Sequence, residues 1–245
     1  MIDSKTEAVL AGIFGQVSGW NADDVRTAKM CPGFSDIRDF ASLLTTGPGE
    51  EQMQKFIEER PQFVLGLFGQ GDDCDLAFLT KPSIGTGYRA DFAILNVNQG
   101  GCRITLIELE RPSERLFTKK GTPAKTLQSA LGQIQDWHEW ITPNKQTFVS
   151  DTLNAAKALP LFPERSPNRG FRLRSSEGIE SAWRAFGGYK DPFVNYGIVI
   201  GRWSELDDQH RSRLVSMNRQ DSILRTIYTY EQVARRAYDR PAVWP

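Results

Sequence analysis

The chain has 245 residues, with 30 basic side chains against 30 acidic ones, 40% hydrophobic and 24% charged. That is the composition of one globular domain, with or without an appendage. The 11% aromatic content argues against disorder, because so much apolar area offsets the entropy of ordering. Cys31, Cys74 and Cys102 are odd in number and lack C-x-x-C spacing, which excludes a disulfide-stapled module and predicts buried thiols in a reducing cytoplasm. With only His138 and His210, a Cys/His zinc site has no ligand set. No apolar run reaches the ~18 residues of a membrane span, and the amino terminus lacks the basic start of a signal peptide, so a cytoplasmic protein without a membrane partner is expected.

In chain order, Thr6 to Val17 and Ser35 to Leu44 carry apolar residues at helical spacing, and Thr45 to Gly49 is a break. Residues 1–48 therefore read as a helical N-terminal segment before a main domain over 49–245. Glu50 to Arg60 predicts a short helix with Met53, Phe56 and Ile57 on one face, stopped by Pro61. Phe63 to Phe68, Asp75 to Leu79, Tyr88 to Leu95 and Arg103 to Leu109 are β-branched or aromatic runs between turn residues, and predict strands, the last two joined as a hairpin through Asn96 to Gly101. A long helix is expected from Thr122, as N-cap, to Ile141. An irregular insertion, about 143–192, with two short helices follows. The pattern ends with a strand at Tyr196 to Gly201, a helix near Glu205 to Met217, a strand at Ile223 to Thr229 and a helix from Glu231. The expected fold class is α/β (α+β): a mixed sheet flanked by helices.

Charge is divided unevenly along the chain. Residues 1–75 hold 13 acids and 6 bases, leaving 17 acids and 24 bases for residues 76–245. Arg111, Arg115, Lys119, Lys120 and Lys125 form one basic run, and Arg165, Arg169, Arg172 and Arg174 another. Phosphate binding requires such Lys and Arg clusters, so a nucleic-acid partner is expected; scattered solvated charge is the competing reading of either run.

The strand Arg103 to Glu110 is apolar on both faces until it finishes in Glu108 and Glu110, which alternation puts on one face. If the preceding hairpin folds about its middle, Asp91 lies near Leu106 and Glu108 and joins them. Three carboxylates at one sheet end repel each other unless a cation sits among them, and hard oxygen donors suit Mg²⁺ or Mn²⁺. The plainer alternative has Glu108 and Glu110 marking the strand's exit from the core, paired with Arg111 or Arg115. On the first short helix, Glu50 shares the stripe of Met53, Gln54 and Ile57 and can reach the core edge, while Glu58 and Glu59 face away; Glu51 replaces Glu50 if the helix phase differs. On the long helix, Gln133 flanks the apolar stripe beside Trp137 and Trp140. His138 is expected to be a hydrogen-bonded core histidine.

The fragments EQMQKFIEERPQFV (51–64), YRADFAIL (88–95), LIELERPSERLFTKKG (106–121), ALGQIQDWHEWI (130–141) and the stretch from Tyr196 to Ala237 resemble, in this order, the nuclease domain of the Shedu anti-phage defence family. The resemblance implies a restriction-endonuclease-like core of the PD-(D/E)xK superfamily and a metal-dependent DNA endonuclease or nickase. It implies that Asp91 is the motif aspartate, with Ala90 in the proline's place, that Glu108 is the acidic residue of (D/E)xK, and that Gln133 stands near the metal or phosphate. Glu110 occupies the position of the motif lysine. Either Glu110 is a further metal ligand, or a base such as Lys119 or Lys120 compensates, unless these two are phosphate contacts or solvated charge. The alternative function is a nucleic-acid-binding or sensing module whose hydrolysis is weakened by that departure. Self-association is expected, where it occurs, through the N-terminal segment or the insertion.

Overall fold

A computed structural model describes residues 3–14, 31–69, 75–98, 101–162, 164, 169–187, 191–220, 223 and 225–239. Cys74 and Arg165 lie outside the described residues. Helices α1 (Ser4–Phe14), α2 (Phe34–Thr45), α3 (Glu50–Glu59) and α4 (Gln62–Phe68) precede strand β1 (Asp75–Thr80) and a small hairpin of β2 (Ser83–Ile84) and β3 (Tyr88–Arg89). Strands β4 (Phe92–Asn98) and β5 (Gly101–Leu109) lead to the long helix α5 (Lys125–Lys157), the short strand β6 (Gly170–Arg172) and helix α6 (Ser176–Ala182). Strand β7 (Phe193–Val199), helix α7 (Asp208–Gln220), strand β8 (Arg225–Tyr228) and helix α8 (Tyr230–Asp239) complete the order.

The six-stranded sheet runs β6-β1-β4-β5-β7-β8. β1, β4, β5 and β6 meet antiparallel, whereas β5, β7 and β8 run parallel, so the sheet is mixed as expected. β5 is central and its alternation builds two cores. Ile104 and Leu106 pack on the face covered by α5, with Trp137 fully buried at its centre. Ile107 and Leu109 pack on the other face, under α2, α3, α4 and α8, where the Phe40 and Phe63 rings stack at 4.8 Å.

Four expectations change. Phe63 to Phe68 is helical, not a strand: Phe63, Val64, Leu65 and Gly66 are buried at consecutive positions between the sheet and α8, and a short run apolar on all sides does not distinguish a helix from a buried strand. Tyr88 to Leu95 is not one strand but two, because the chain bends at Asp91. The long helix starts at Lys125, since Thr118 and Thr122 close a turn of their own through backbone and hydroxyl bonds of 2.8 and 2.7 Å. It also carries on past Pro143 to Lys157, so the first part of the expected insertion is helix. Asn144 leaves helical geometry there, and its side-chain amide donates to the Trp140 carbonyl at 2.8 Å, satisfying an oxygen at the bend. The strand at β6 has no counterpart in the sequence reading; it is three residues long and pairs with the edge of β1.

No described helix is long and apolar enough to cross a membrane. Cys31 and Cys102 are buried thiols, and burial pushes the Cys102 thiol up to about 12.

Candidate active site

The β4–β5 register fixes the first relationship. Phe92 pairs with Ile107, which puts Asp91, one residue before β4, opposite Glu108. The Asp91 backbone N–H donates to the Ile107 carbonyl at 3.1 Å, and the Leu109 N–H donates to Asp91 Oδ2 at 2.7 Å. The carboxylate is therefore turned back along the end of β5. Glu110 follows directly, held by its own N–H to the Val199 carbonyl at 2.8 Å and by the buried Tyr230 hydroxyl, which donates to the Glu110 carbonyl at 2.6 Å. The two backbone anchors tie the end of β5 to β7 on one side and to α8 on the other.

Two helices close the site. α3 begins at Gly49 as N-cap, whose N–H donates to Gln52 Oε1 at 2.8 Å, and Glu50 is its first residue. This phase makes Glu50, not Glu51, the helix carboxylate that acts on Asp91, Glu108 and Glu110 together. Glu58 departs from expectation: half-buried rather than turned away, it receives a hydrogen bond from Gln54 Nε2 at 3.1 Å and raises the Asp91 carboxyl. From α5, Gln133 lies beside the Glu108 carboxyl and favours its ionised form.

The electrostatics follow from burial and crowding. Desolvation, opposed by the Leu109 N–H and reinforced by Glu50, pushes Asp91 up to about 6. Burial, with Asp91 and Glu110 close by, pushes Glu108 up to about 9 against the pull of Gln133. Burial and the charges of Glu50 and Glu114 push Glu110 up to about 7. Half-buried carboxyls that resist ionisation describe a place where positive charge is missing. Among the described residues no three His, Cys, Asp or Glu side chains are close enough together to hold a metal ion as they stand. The donors are hard oxygens around a charge deficit, and Mg²⁺ commonly takes only one or two carboxylates and fills its remaining positions with water and substrate phosphate. The residues thus fit such an ion in chemistry without forming a finished cage.

The basic run lies alongside. Arg111, Arg115, Lys119, Lys120 and Lys125 are all exposed on the loop from β5 to the first turn of α5. That loop is pressed against Gly201, whose backbone, at φ +63°, leaves no room for a side chain beside Leu116 and the Glu114 carbonyl. A groove of about 660 Å³, lined by Arg115, Phe117, Lys119, Arg202 and His210, runs under it. In the second basic run Arg172 is engaged, donating to the Leu159 and Arg174 carbonyls at 2.6 and 3.2 Å, while Arg169 is exposed. His138 is half-buried and contacts the Tyr196 hydroxyl at 3.4 Å through Nδ1, in line with a structural histidine. Lys81 and Tyr230, both tied to the site, were not among the expected residues. Lys81 precedes a proline in a turn, and Tyr230 acts only through the fold.

Helix, mixed sheet and helix around carboxylates at the end of a central strand define an α/β protein with an acidic sheet-end site. Residues 48–233 match the family described as Shedu protein SduA, C-terminal. The chain belongs to the Shedu family, and membership suggests a role in anti-phage defence. A comparison with curated proteins returns no match.

Proposed function

We propose that this protein is a divalent-metal-dependent deoxyribonuclease on a PD-(D/E)xK core, cutting or nicking DNA in the cytoplasm as part of anti-phage defence. The observation that carries the reading is the meeting of Asp91, Glu108, Glu110 and Glu50 at one sheet end, with Gln133 on Glu108, in a chain of the Shedu family. Asp91 and Glu108 would hold Mg²⁺ or Mn²⁺, with Glu110 as a further ligand. The ion would supply a Lewis acid for the phosphoryl oxygen and make water more acidic. The remaining work falls to the chain. The Leu109 N–H fixes the Asp91 carboxylate, Gln133 orients Glu108, and Glu50 adds negative charge that favours a cation over an empty site. Arg111, Arg115, Lys119, Lys120 and Lys125 hold the DNA backbone by charge and carry no base preference.

One observation favours a second reading, a nucleic-acid-binding or sensing module with weakened hydrolysis: a glutamate, Glu110, stands where the resemblance implies a lysine. The deciding experiment is plasmid nicking with the purified protein in Mg²⁺, Mn²⁺ or EDTA. The nuclease reading expects relaxed or linear product with either metal and none in EDTA. Supercoiled plasmid left intact with both metals, while the protein still shifts DNA in a gel, establishes the sensing reading instead.

A further inference from the structure

The carboxylate site is short of positive charge, and the turn after β1 carries a lysine, Lys81, whose charge acts on Asp91. Register places this residue without reference to its side chain. Thr80 pairs with Phe92 and Phe92 with Ile107, so one step further along the ladder Lys81, Asp91 and Glu108 form a row across three neighbouring segments. The row is pinned: the Lys81 N–H donates to the Asp91 carbonyl at 2.7 Å, and the Ala90 N–H donates to the Pro82 carbonyl at 3.2 Å.

Lys81 is also the only non-glycine residue with positive φ among the described residues, at +49°. A side chain there is strained, whereas a glycine would adopt the same backbone freely. The strain is aggravated by Pro82, because a residue before proline is pushed toward extended backbone. A strained, exposed lysine whose backbone is pinned in the same row as Asp91 and Glu108 is a charge carried at the edge of the site. Lys81 is a cation that acts on Asp91, as Arg111 acts on Glu110.

We propose that Lys81 is the cationic member of this site, a positioning residue whose ammonium orients a scissile phosphate against the Asp91–Glu108 edge. The inference rests on the nuclease reading for the phosphate and on the geometry alone for the charge.

The test uses Lys81→Gly and Lys81→Arg in the full chain. Glycine relieves the backbone, so Lys81→Gly should melt no lower than the parent, which separates loss of charge from loss of fold. Its cutting rate should fall on the order of 10²-fold, the usual effect of removing one positioned charge or donor, while Lys81→Arg stays much nearer the parent. Lys81→Gly should also bind Mn²⁺ several-fold more tightly in the absence of DNA, because a like charge beside the cation has gone. A glycine variant that cuts at the parent rate overturns the proposal. If the parent itself cuts nothing, the nuclease reading has failed, and Mn²⁺ affinity then decides alone: tighter binding by Lys81→Gly supports Lys81 as part of the cluster, and unchanged binding overturns it.

Discussion

The Leu109 N–H reaches the Asp91 carboxylate at 2.7 Å, and this one bond couples the bend before β4 to the last turn of pleat in β5. It holds a half-buried negative group at the place where Glu108, Glu110 and Glu50 already crowd. Asp91→Asn keeps an oxygen able to accept that bond and removes the charge, and Glu108→Gln does the same for its neighbour. Each variant should lose detectable cutting while its metal-free melting temperature rises by a few degrees at pH 8, since the folded state no longer crowds the Asp91 charge or holds a proton on Glu108. Nicking assays and thermal melts in EDTA check both halves. Retained cutting by either variant removes that residue from the ligand set.

The same crowding gives a pH dependence with a definite sign. Asp91, Glu110 and Glu108 titrate at about 6, 7 and 9 in the folded protein, against values near 4 in an unfolded chain. Between those limits the native state binds more protons than the unfolded state, so stability falls as pH rises. The site's contribution is whole below about pH 4, is lost progressively up to about pH 9, and changes no further above that. A divalent cation that pairs with the ionised carboxylates should flatten the slope and add stability in proportion to its occupancy. Melts from pH 5 to 9 in EDTA and in Mg²⁺ read this directly; identical slopes in the two series would deny the site its cation.

Glu110 presents a sharper alternative. Its carbonyl and N–H are fixed by Tyr230 and Val199, so a substitution changes the side chain without moving the strand end. Glu110→Lys puts a cation beside Glu108 and should lower the proton affinity of both remaining carboxylates. If Glu110 is a metal ligand, cutting collapses and Mn²⁺ affinity drops. If it only fills the position of a lysine, cutting holds or increases and the pH at which rate levels off moves down. Rate profiles against pH, with Mn²⁺ titrations of both proteins, distinguish these.

The meeting of the carboxylates at one sheet end was more legible in the sequence than the elements around it. Asp91, Glu108 and Glu110 are readable because strand alternation and a hairpin register are local rules, and a charge at the end of an apolar strand is conspicuous. Glu50 and Gln133 follow from helical phase, with α3 capped at Gly49 and α5 carrying its stripe through Trp137. Glu58 was misjudged because helical phase says which side of α3 a residue takes but not how closely the sheet end approaches it. Lys81 could not be found at all, since its placement depends on the β1–β4 register and on a left-handed backbone angle that no side-chain pattern announces. The helical fate of Phe63 to Phe68 was decided by the closeness of α8 at Gly66, a tertiary contact that overrides strand propensity.

The basic loop between β5 and α5 gives the remaining prediction, which concerns DNA affinity rather than chemistry. Lys119 and Lys120 sit at the tip of the turn closed by Thr118 and Thr122, and Lys125 opens α5, so all three are exposed and can be replaced by Ala without disturbing the core. Phosphate contacts release counterions on binding, so each one lost should remove about 0.9 from the magnitude of the log-log salt slope on duplex DNA, and three should remove roughly 2.7. Three solvated bystanders would remove almost nothing. The loss should be equal on unrelated sequences, because contacts to phosphate do not read bases. The measurement is a salt titration of parent and triple variant, with Asp91→Asn in both to suppress cutting. An unchanged slope would make Arg111 to Lys125 ordinary surface charge, and would move the DNA-contacting face elsewhere. Arg169 is then the place to look, because it is exposed where Arg172 is bound to backbone carbonyls.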